Sequence, residues 1–258
     1  MPRASRHYLP GLIWHVTHRC HKREFLLKFA RDRRLWRSWL FEARKRYGLC
    51  VLNYVATSNH IHLLIRDQGK GEIARSLQLI AGQTAQAFNR RKARKGAFWE
   101  DRYHATAVQT GEHLARCLAY IDLNMVRAGA VSHPSEWEVS GYREIQSPPT
   151  RYRIIDGVAL QKSLEIKQMN TLRQHQREWI EQALRQSSLS RDARWSESLT
   201  VGSELFVQDI QAQLGAEAHS RSVQVDRESA WLREPSATYT VDFDDENSLL
   251  STKQRRIS

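Results

Sequence analysis

Apolar positions recur in two rhythms along the first half of the chain. Residues 11–20, Gly-Leu-Ile-Trp-His-Val-Thr-His-Arg-Cys, are rich in β-branched and aromatic types and predict a first strand. A basic segment follows, and then Trp36, Trp39, Leu40, Ala43 and Tyr47 return at helical spacing, with Gly48 as a stop. Residues 50–56 and 61–66 predict two further strands, joined as a hairpin through Thr57, Ser58 and Asn59. Ile73, Leu77, Ile80, Thr84 and Phe88 mark a second helix, which runs out into the basic stretch 89–96. Residues 103–109 predict a fourth strand, and Thr110 is placed to cap a third helix of about residues 111–128 that Gly129 ends. The order β-α-β-β-α-β predicts an α+β fold, a ferredoxin-like antiparallel sheet backed by helices, which by itself names no function.

Past Ser147-Pro148-Pro149 the pattern changes. Helical periodicity around residues 160–184 and 204–214 predicts a mainly helical C-terminal extension over 149–233. The acidic cluster Asp242-Phe243-Asp244-Asp245-Glu246 predicts a disordered tail over 234–258.

Charge sharpens the picture. The net charge is +12, and residues 1–150 carry 25 Lys and Arg against 12 Asp and Glu, while the remainder carries 15 against 16. Such segregation points to a phosphate-binding domain with a near-neutral appendage, and nucleic acid is the leading partner. No apolar run approaches the roughly 20 residues that span a bilayer, and the N-terminus lacks a signal-peptide core, so no membrane is expected. A cytoplasmic, nucleoid-associated location follows from these readings. Cys20, Cys50 and Cys117 are odd in number and widely spaced, which fits a reducing compartment. His15, His18, Cys20 and His21 are dense enough to suggest zinc, but they spread over both faces of a strand and lack a second ligand cluster.

Two stretches carry candidate chemistry. In Asn59-His60-Ile61-His62-Leu63-Leu64-Ile65, strand alternation sends His60 and His62 to one side and Ile61, Leu63 and Ile65 to the other. Two neighbouring imidazoles then form a ready metal-binding pair; the plainer reading is two histidines on a half-exposed strand face. In the third helix, Leu114, Cys117, Leu118, Ile121 and Met125 form the packing stripe, and His113, Arg116, Tyr120, Asn124 and Arg127 form a polar one. Tyr120 is a candidate nucleophile, Asn124 a carbonyl donor to a hard divalent cation, and the arginines candidate phosphate holders. The plainer reading packs Tyr120 at the core edge and leaves Arg116 and Arg127 solvated.

Together, residues 59–64 and Tyr120-Ile121-Asp122-Leu123-Asn124-Met125-Val126-Arg127-Ala128-Gly129 resemble the HUH single-tyrosine transposases, and specifically the REP-associated branch of that IS200-like family. Trp14 through Cys20 resembles its first strand, Phe98-Trp99-Glu100-Asp101-Arg102-Tyr103 the entry to its fourth, and Trp137 through Gly141-Tyr142 its Trp-x-x-Ser-x-Tyr ending. The resemblance covers about residues 8–145, so residues 1–148 are expected to form the nuclease/transposase domain. It implies a protein that cuts single-stranded DNA next to short imperfect hairpins with one divalent metal ion, Mg2+ or Mn2+, of which imidazole suits Mn2+ better. By that resemblance His60, His62 and Asn124 are metal ligands, and Tyr120 is the nucleophile that becomes joined to the 5′ phosphate.

There are departures from the family pattern. Met125 stands where proline usually follows the asparagine, Asp122 where histidine is common, and Thr57-Ser58 where Met-Pro often precedes Asn59. The proline change alters the helix path beside Asn124. Arg90, Arg91, Lys92, Arg94 and Lys95, with Arg102, Arg116 and Arg127, are the candidate DNA-binding residues. Two other classes remain open: a hairpin-binding protein on the same scaffold that no longer cuts, and an RNA-binding module. Monomer or homodimer, a tyrosine acting in cis or in trans, and the role of residues 150–258 are left undecided.

Overall fold

The computed structural model describes residues 9–186, 189–218 and 221–233. The tail assigned to 234–258 lies outside them. Strand β1 (Ile13–Arg19) leads through a short 3-10 turn to helix α1 (Ala30–Tyr47), which Gly48 ends in the left-handed region at φ 72°. Strands β2 (Cys50–Ala56) and β3 (His60–Arg66) form the expected hairpin; helix α2 (Glu72–Arg91) and strand β4 (His104–Val108) follow. Together they give a four-strand order β2-β3-β1-β4 with every neighbour antiparallel. β1 is thus central, and a strand paired on both edges must bury its backbone and most of its side chains. Ile13, Trp14 and Val16 are accordingly buried with Leu63, Leu64 and Ile65 of β3.

Helix α3 (Glu112–Asp122) starts at Gly111, whose φ of 73° and ψ of −129° few other residues adopt. No side chain caps it, so Thr110 is not the cap its position suggested. The helix pattern pauses at Leu123 and resumes as α4 (Asn124–Arg127), yet Leu123 N–H still donates to Ala119 O and Arg127 N–H to Leu123 O. The path is therefore nearly continuous without the family's proline, and Asn124 stays one turn beyond Tyr120. Gly129 closes the segment at φ 63°.

Helices α5 (Gly141–Gln146), α6 (Gly157–Ser163), α7 (Met169–Arg185) and α8 (Arg194–Glu197) come next. The C-terminal part is more than the helices its periodicity shows. Strand β5 (Ser198–Gly202) adds to β4 in parallel, helix α9 (Glu204–Leu214) follows, and β6 (Ser222–Val225) and β7 (Ala230–Arg233) complete a seven-stranded sheet in the order β2-β3-β1-β4-β5-β7-β6. These strands are four or five residues long, too short for alternation to register in sequence. Leu160, Leu172, Trp195 and Val201 share one apolar core with Ile13, Leu64 and Leu118, so this part closes over the sheet. Among the described residues no helix is long and apolar enough to cross a membrane.

Candidate active site

Antiparallel pairing sets Thr17 opposite His62 and Arg19 opposite His60, so His15, Thr17 and Arg19 of β1 share a face with His60 and His62 of β3. His62 is buried and His60 half-buried, with ring centroids 4.8 Å apart. The turn before β3 holds His60: its Nδ1 lies 2.7 Å from Asn59 Oδ1 and 3.0 Å from Thr57 Oγ1. Asn59 Oδ1 can only accept, so His60 carries its proton on Nδ1 and leaves Nε2 bare. His62 has His15 Nε2 at 2.8 Å from its Nδ1 and Asn124 Nδ2 at 2.8 Å from its Nε2. Burial holds His60 and His15 down to about 3 and His62 well below the usual histidine range, with Arg127 and the neighbouring imidazoles acting in the same direction. At neutral pH all three rings are uncharged, as metal ligation by imidazole requires.

Helix α3 brings the phenol in. The Tyr120 ring centroid lies 5.9 Å from that of His62 and 6.1 Å from that of His15, both edge-on, and 6.2 Å from Trp195 of α8. Its burial (9% exposed) raises the phenol above the ordinary tyrosine value, while Arg127 pulls the other way. The Arg127 guanidinium stacks 4.1 Å from the ring centroid and donates from Nη2 to the Tyr120 carbonyl at 2.6 Å. Arg127 is thus neither solvated nor an open phosphate holder; it faces the nucleophile candidate.

The remaining basic candidates divide. Arg116 pairs with Glu112 at 2.5 Å and reaches Glu228 of the β6–β7 turn at 3.2 Å, so its charge is already matched. Arg91 pairs with buried Asp32, and Arg94 with Glu24 at 3.3 Å. Arg90, Lys92, Lys95 and Arg102 have exposed side chains. This basic end of α2 meets the loop after β1, where Lys92 Nζ lies 5.6 Å from the Phe29 ring. Phe25 is 60% and Phe29 57% exposed, and Lys22 and Lys28 on the same loop are exposed too. The loop is bound to the turn that sets His60, through Leu27 N–H to Ser58 O at 2.9 Å and Asn59 Nδ2 to Arg23 O at 3.4 Å. An aromatic and basic surface is therefore tethered to the turn that precedes the histidine pair.

Sequence reasoning missed four contributors: His15, the Asn59 side chain, the Phe25/Phe29 pair and Trp195. His15 has the same parity as Thr17, but only the β1–β3 register shows that it reaches His62. The zinc suggestion fails on position. His15 binds His62 and the Trp195 carbonyl, His18 stacks on Trp99 with centroids 4.2 Å apart, and Cys20 is buried in the core. Among the described residues no group of three or more His, Cys, Asp or Glu side chains is placed to hold a metal ion, and the set at β3 is two imidazoles with an amide.

A histidine pair on a central antiparallel sheet, facing a tyrosine and an asparagine one turn apart on a following helix, defines a class of fold and site together. Residues 9–124 match the family model described as "Transposase IS200 like". This segment is thus similar to the IS200-like transposase family, in agreement with the resemblance read from its motifs. Among solved structures, the chain is similar to a REP-associated tyrosine transposase bound to a REP hairpin, at 19% identity and a TM-score of 0.48, covering 60% of this chain and 94% of that one. It is also similar to a protein of Deinococcus radiodurans R1 assigned as a transposase, at 17% identity and a TM-score of 0.33, covering 46% and 95%. No curated protein matches the chain.

Proposed function

We propose that this protein is a single-stranded DNA endonuclease and strand-transferase that acts beside short REP-like hairpins through a 5′-phosphotyrosine link. The observation that carries the reading is the convergence of Tyr120, His60, His62 and Asn124 on one face of the sheet. His60 and His62 offer bare Nε2 atoms, and Asn124 offers Oδ1 once its amide turns over; two neutral imidazoles and a carbonyl oxygen fit a divalent cation such as Mn2+ or Mg2+. When bound, the ion supplies charge to the non-bridging phosphate oxygens.

The chain's own residues supply the rest. Burial keeps the Tyr120 phenol protonated at rest, and the Arg127 guanidinium beside the ring favours its anion as the proton leaves to solvent. A bond then forms between Tyr120 Oη and phosphorus, and the bond from phosphorus to the 3′ oxygen breaks. That oxygen takes a proton and becomes a free 3′ hydroxyl. Because the phosphoester is conserved on the tyrosine, a second 3′ hydroxyl can displace it and rejoin strands without ATP. Phe25 and Phe29 give stacking faces for unpaired bases, and Lys22, Lys28, Arg90, Lys92, Lys95 and Arg102 give charge for the backbone.

Incubation with an end-labelled single-stranded hairpin and Mn2+ tests the reading. A covalent adduct that survives denaturation, and that Tyr120→Phe abolishes, supports it. Retarded but uncut DNA favours the non-cutting hairpin binder, and preference for RNA the third class; either result overturns it.

A further inference from the structure

His15 lies on the central strand with no exposed surface, and the catalytic reading above assigns it nothing. Its Nε2 is 2.8 Å from His62 Nδ1 and its Nδ1 is 2.7 Å from the backbone carbonyl of Trp195, which stands 180 positions away at the start of β5's approach. We propose that His15 is a positioning residue which dictates the nitrogen His62 presents, and that the Trp195 carbonyl makes the C-terminal part a component of the site. The proposal rests on reading His62 as a metal ligand.

The chain of hydrogen bonds has one consistent proton arrangement. A carbonyl has lone pairs only, so the contact with Trp195 O requires a proton on His15 Nδ1. A neutral ring carries one ring proton, and His15, with no exposed surface, has no water to solvate the charge a second would bring. His15 Nε2 is then bare and must accept, so His62 Nδ1 must donate. His62 Nε2 is in turn bare and turned to Asn124, which donates to it from Nδ2. Each tautomer follows from the one before, and the series starts from a group that cannot change its role.

Trp195 O is itself fixed. Its residue is anchored by the buried Trp195 ring beside Tyr120 and by the Trp195 N–H donating to Asp192 O at 3.4 Å, while the single Thr106 Oγ1 proton is shared between Ser198 O at 2.6 Å and Trp195 O at 3.3 Å. Without His15, the His62 Nδ1–H would be buried with no acceptor. The ring would then gain by moving its proton to Nε2, which would block that nitrogen as a ligand. His60 needs no such partner, because Asn59 serves it from the adjoining turn.

The experiment uses the full chain with His15→Leu, which removes the acceptor, and His15→Gln, whose amide can accept from His62 and donate to Trp195 O. Nitrogen-15 NMR of the imidazoles reads the His62 tautomer without metal, and a Mn2+ titration reads affinity. Wild type is expected to carry the His62 proton on Nδ1. His15→Leu is expected to lose that tautomer and bind Mn2+ about 10- to 100-fold more weakly, while His15→Gln stays within a few-fold of wild type. Wild-type His62 with its proton on Nε2, or a folded His15→Leu with wild-type tautomer and Mn2+ affinity, overturns the proposal. If His15→Leu does not fold, the wild-type spectrum and His15→Gln decide: loss of the Nδ1 tautomer in wild type refutes it, and retention in both supports it. His62→Ala separates the two readings. Should it bind Mn2+ as well as wild type, the ligand assignment falls while the tautomer result stands.

Discussion

Asp122 stands between Tyr120 and Asn124 on α3 and is 2% exposed. Asn53 Nδ2 of β2 donates to one carboxyl oxygen at 2.9 Å and Gln176 Nε2 of α7 to the other at 2.7 Å. Burial outweighs these two bonds and pushes the carboxyl up to about 7 from an ordinary value of 3.8. Between those values the folded chain holds a proton that the unfolded chain has released. Stability from this group is therefore full below about pH 4 and is lost as pH rises to about 7. Each pH unit corresponds to about 1.4 kcal/mol, so the whole window is worth about 4 kcal/mol and the accessible part from pH 5 to 7, where the slope fades as the folded group titrates, about 2 kcal/mol.

Asp122→Asn removes the titration. Its amide also disturbs the Gln176 bond, which adds an offset that does not vary with pH. Relative to wild type, the variant should gain about 2 kcal/mol between pH 5 and 7 and level off above about pH 8. Urea unfolding followed by tryptophan fluorescence at half-unit steps measures this difference directly. Parallel stability curves for the two proteins across that range would refute the reasoning, because they would mean that the carboxyl stays ionised in the fold.

Four further outcomes are expected. Removing the guanidinium beside the phenol, Arg127→Gln, should move the alkaline rise of the single-turnover cleavage rate up by about one pH unit or more, since a unit charge 4.1 Å from the ring is lost; an unmoved profile counts against Arg127 acting on Tyr120. Phe25→Ala with Phe29→Ala should weaken binding of a hairpin with an unpaired flank by about 5- to 100-fold and leave a flankless hairpin unaffected, as fluorescence anisotropy would show. Lys92→Ala with Lys95→Ala should lower the slope of log affinity against log salt by about 1.4, the value for two single-strand phosphate contacts; an unchanged slope removes both from the interface. Gly141→Ala should lower thermal stability by about 1–3 kcal/mol, because an added Cβ would lie 1.9 Å from Asn53 Oδ1 and 3.0 Å from Tyr54 N, and a calorimetric melt equal to wild type would refute this close approach.

The sequence by itself determined the local half of this protein. Strand alternation placed His60 and His62 together, helical spacing stacked Asn124 one turn beyond Tyr120, and the apolar stripes of α1, α2 and α3 specified a β-α-β-β-α-β core, because each of these follows from a period of two or about 3.6 residues within one element. The Cys50–Ala56 strand and the Gly48 and Gly129 stops were legible for the same reason.

What only the tertiary structure decided is which elements meet. Thr17 opposite His62 is a matter of register, and that register brings His15 into line with the histidine pair. Arg116 and Arg127 sit on one polar stripe, yet a β6–β7 turn more than a hundred positions away takes up the first, and the second lies on the Tyr120 ring. The C-terminal strands become visible once β4 offers them an edge, since a five-residue strand owes its form to its neighbour's hydrogen bonds more than to its own pattern. Trp195 reaches the site by that route: contacts between residues far apart in the chain depend on shape and pairing across the whole fold, and no local period records them.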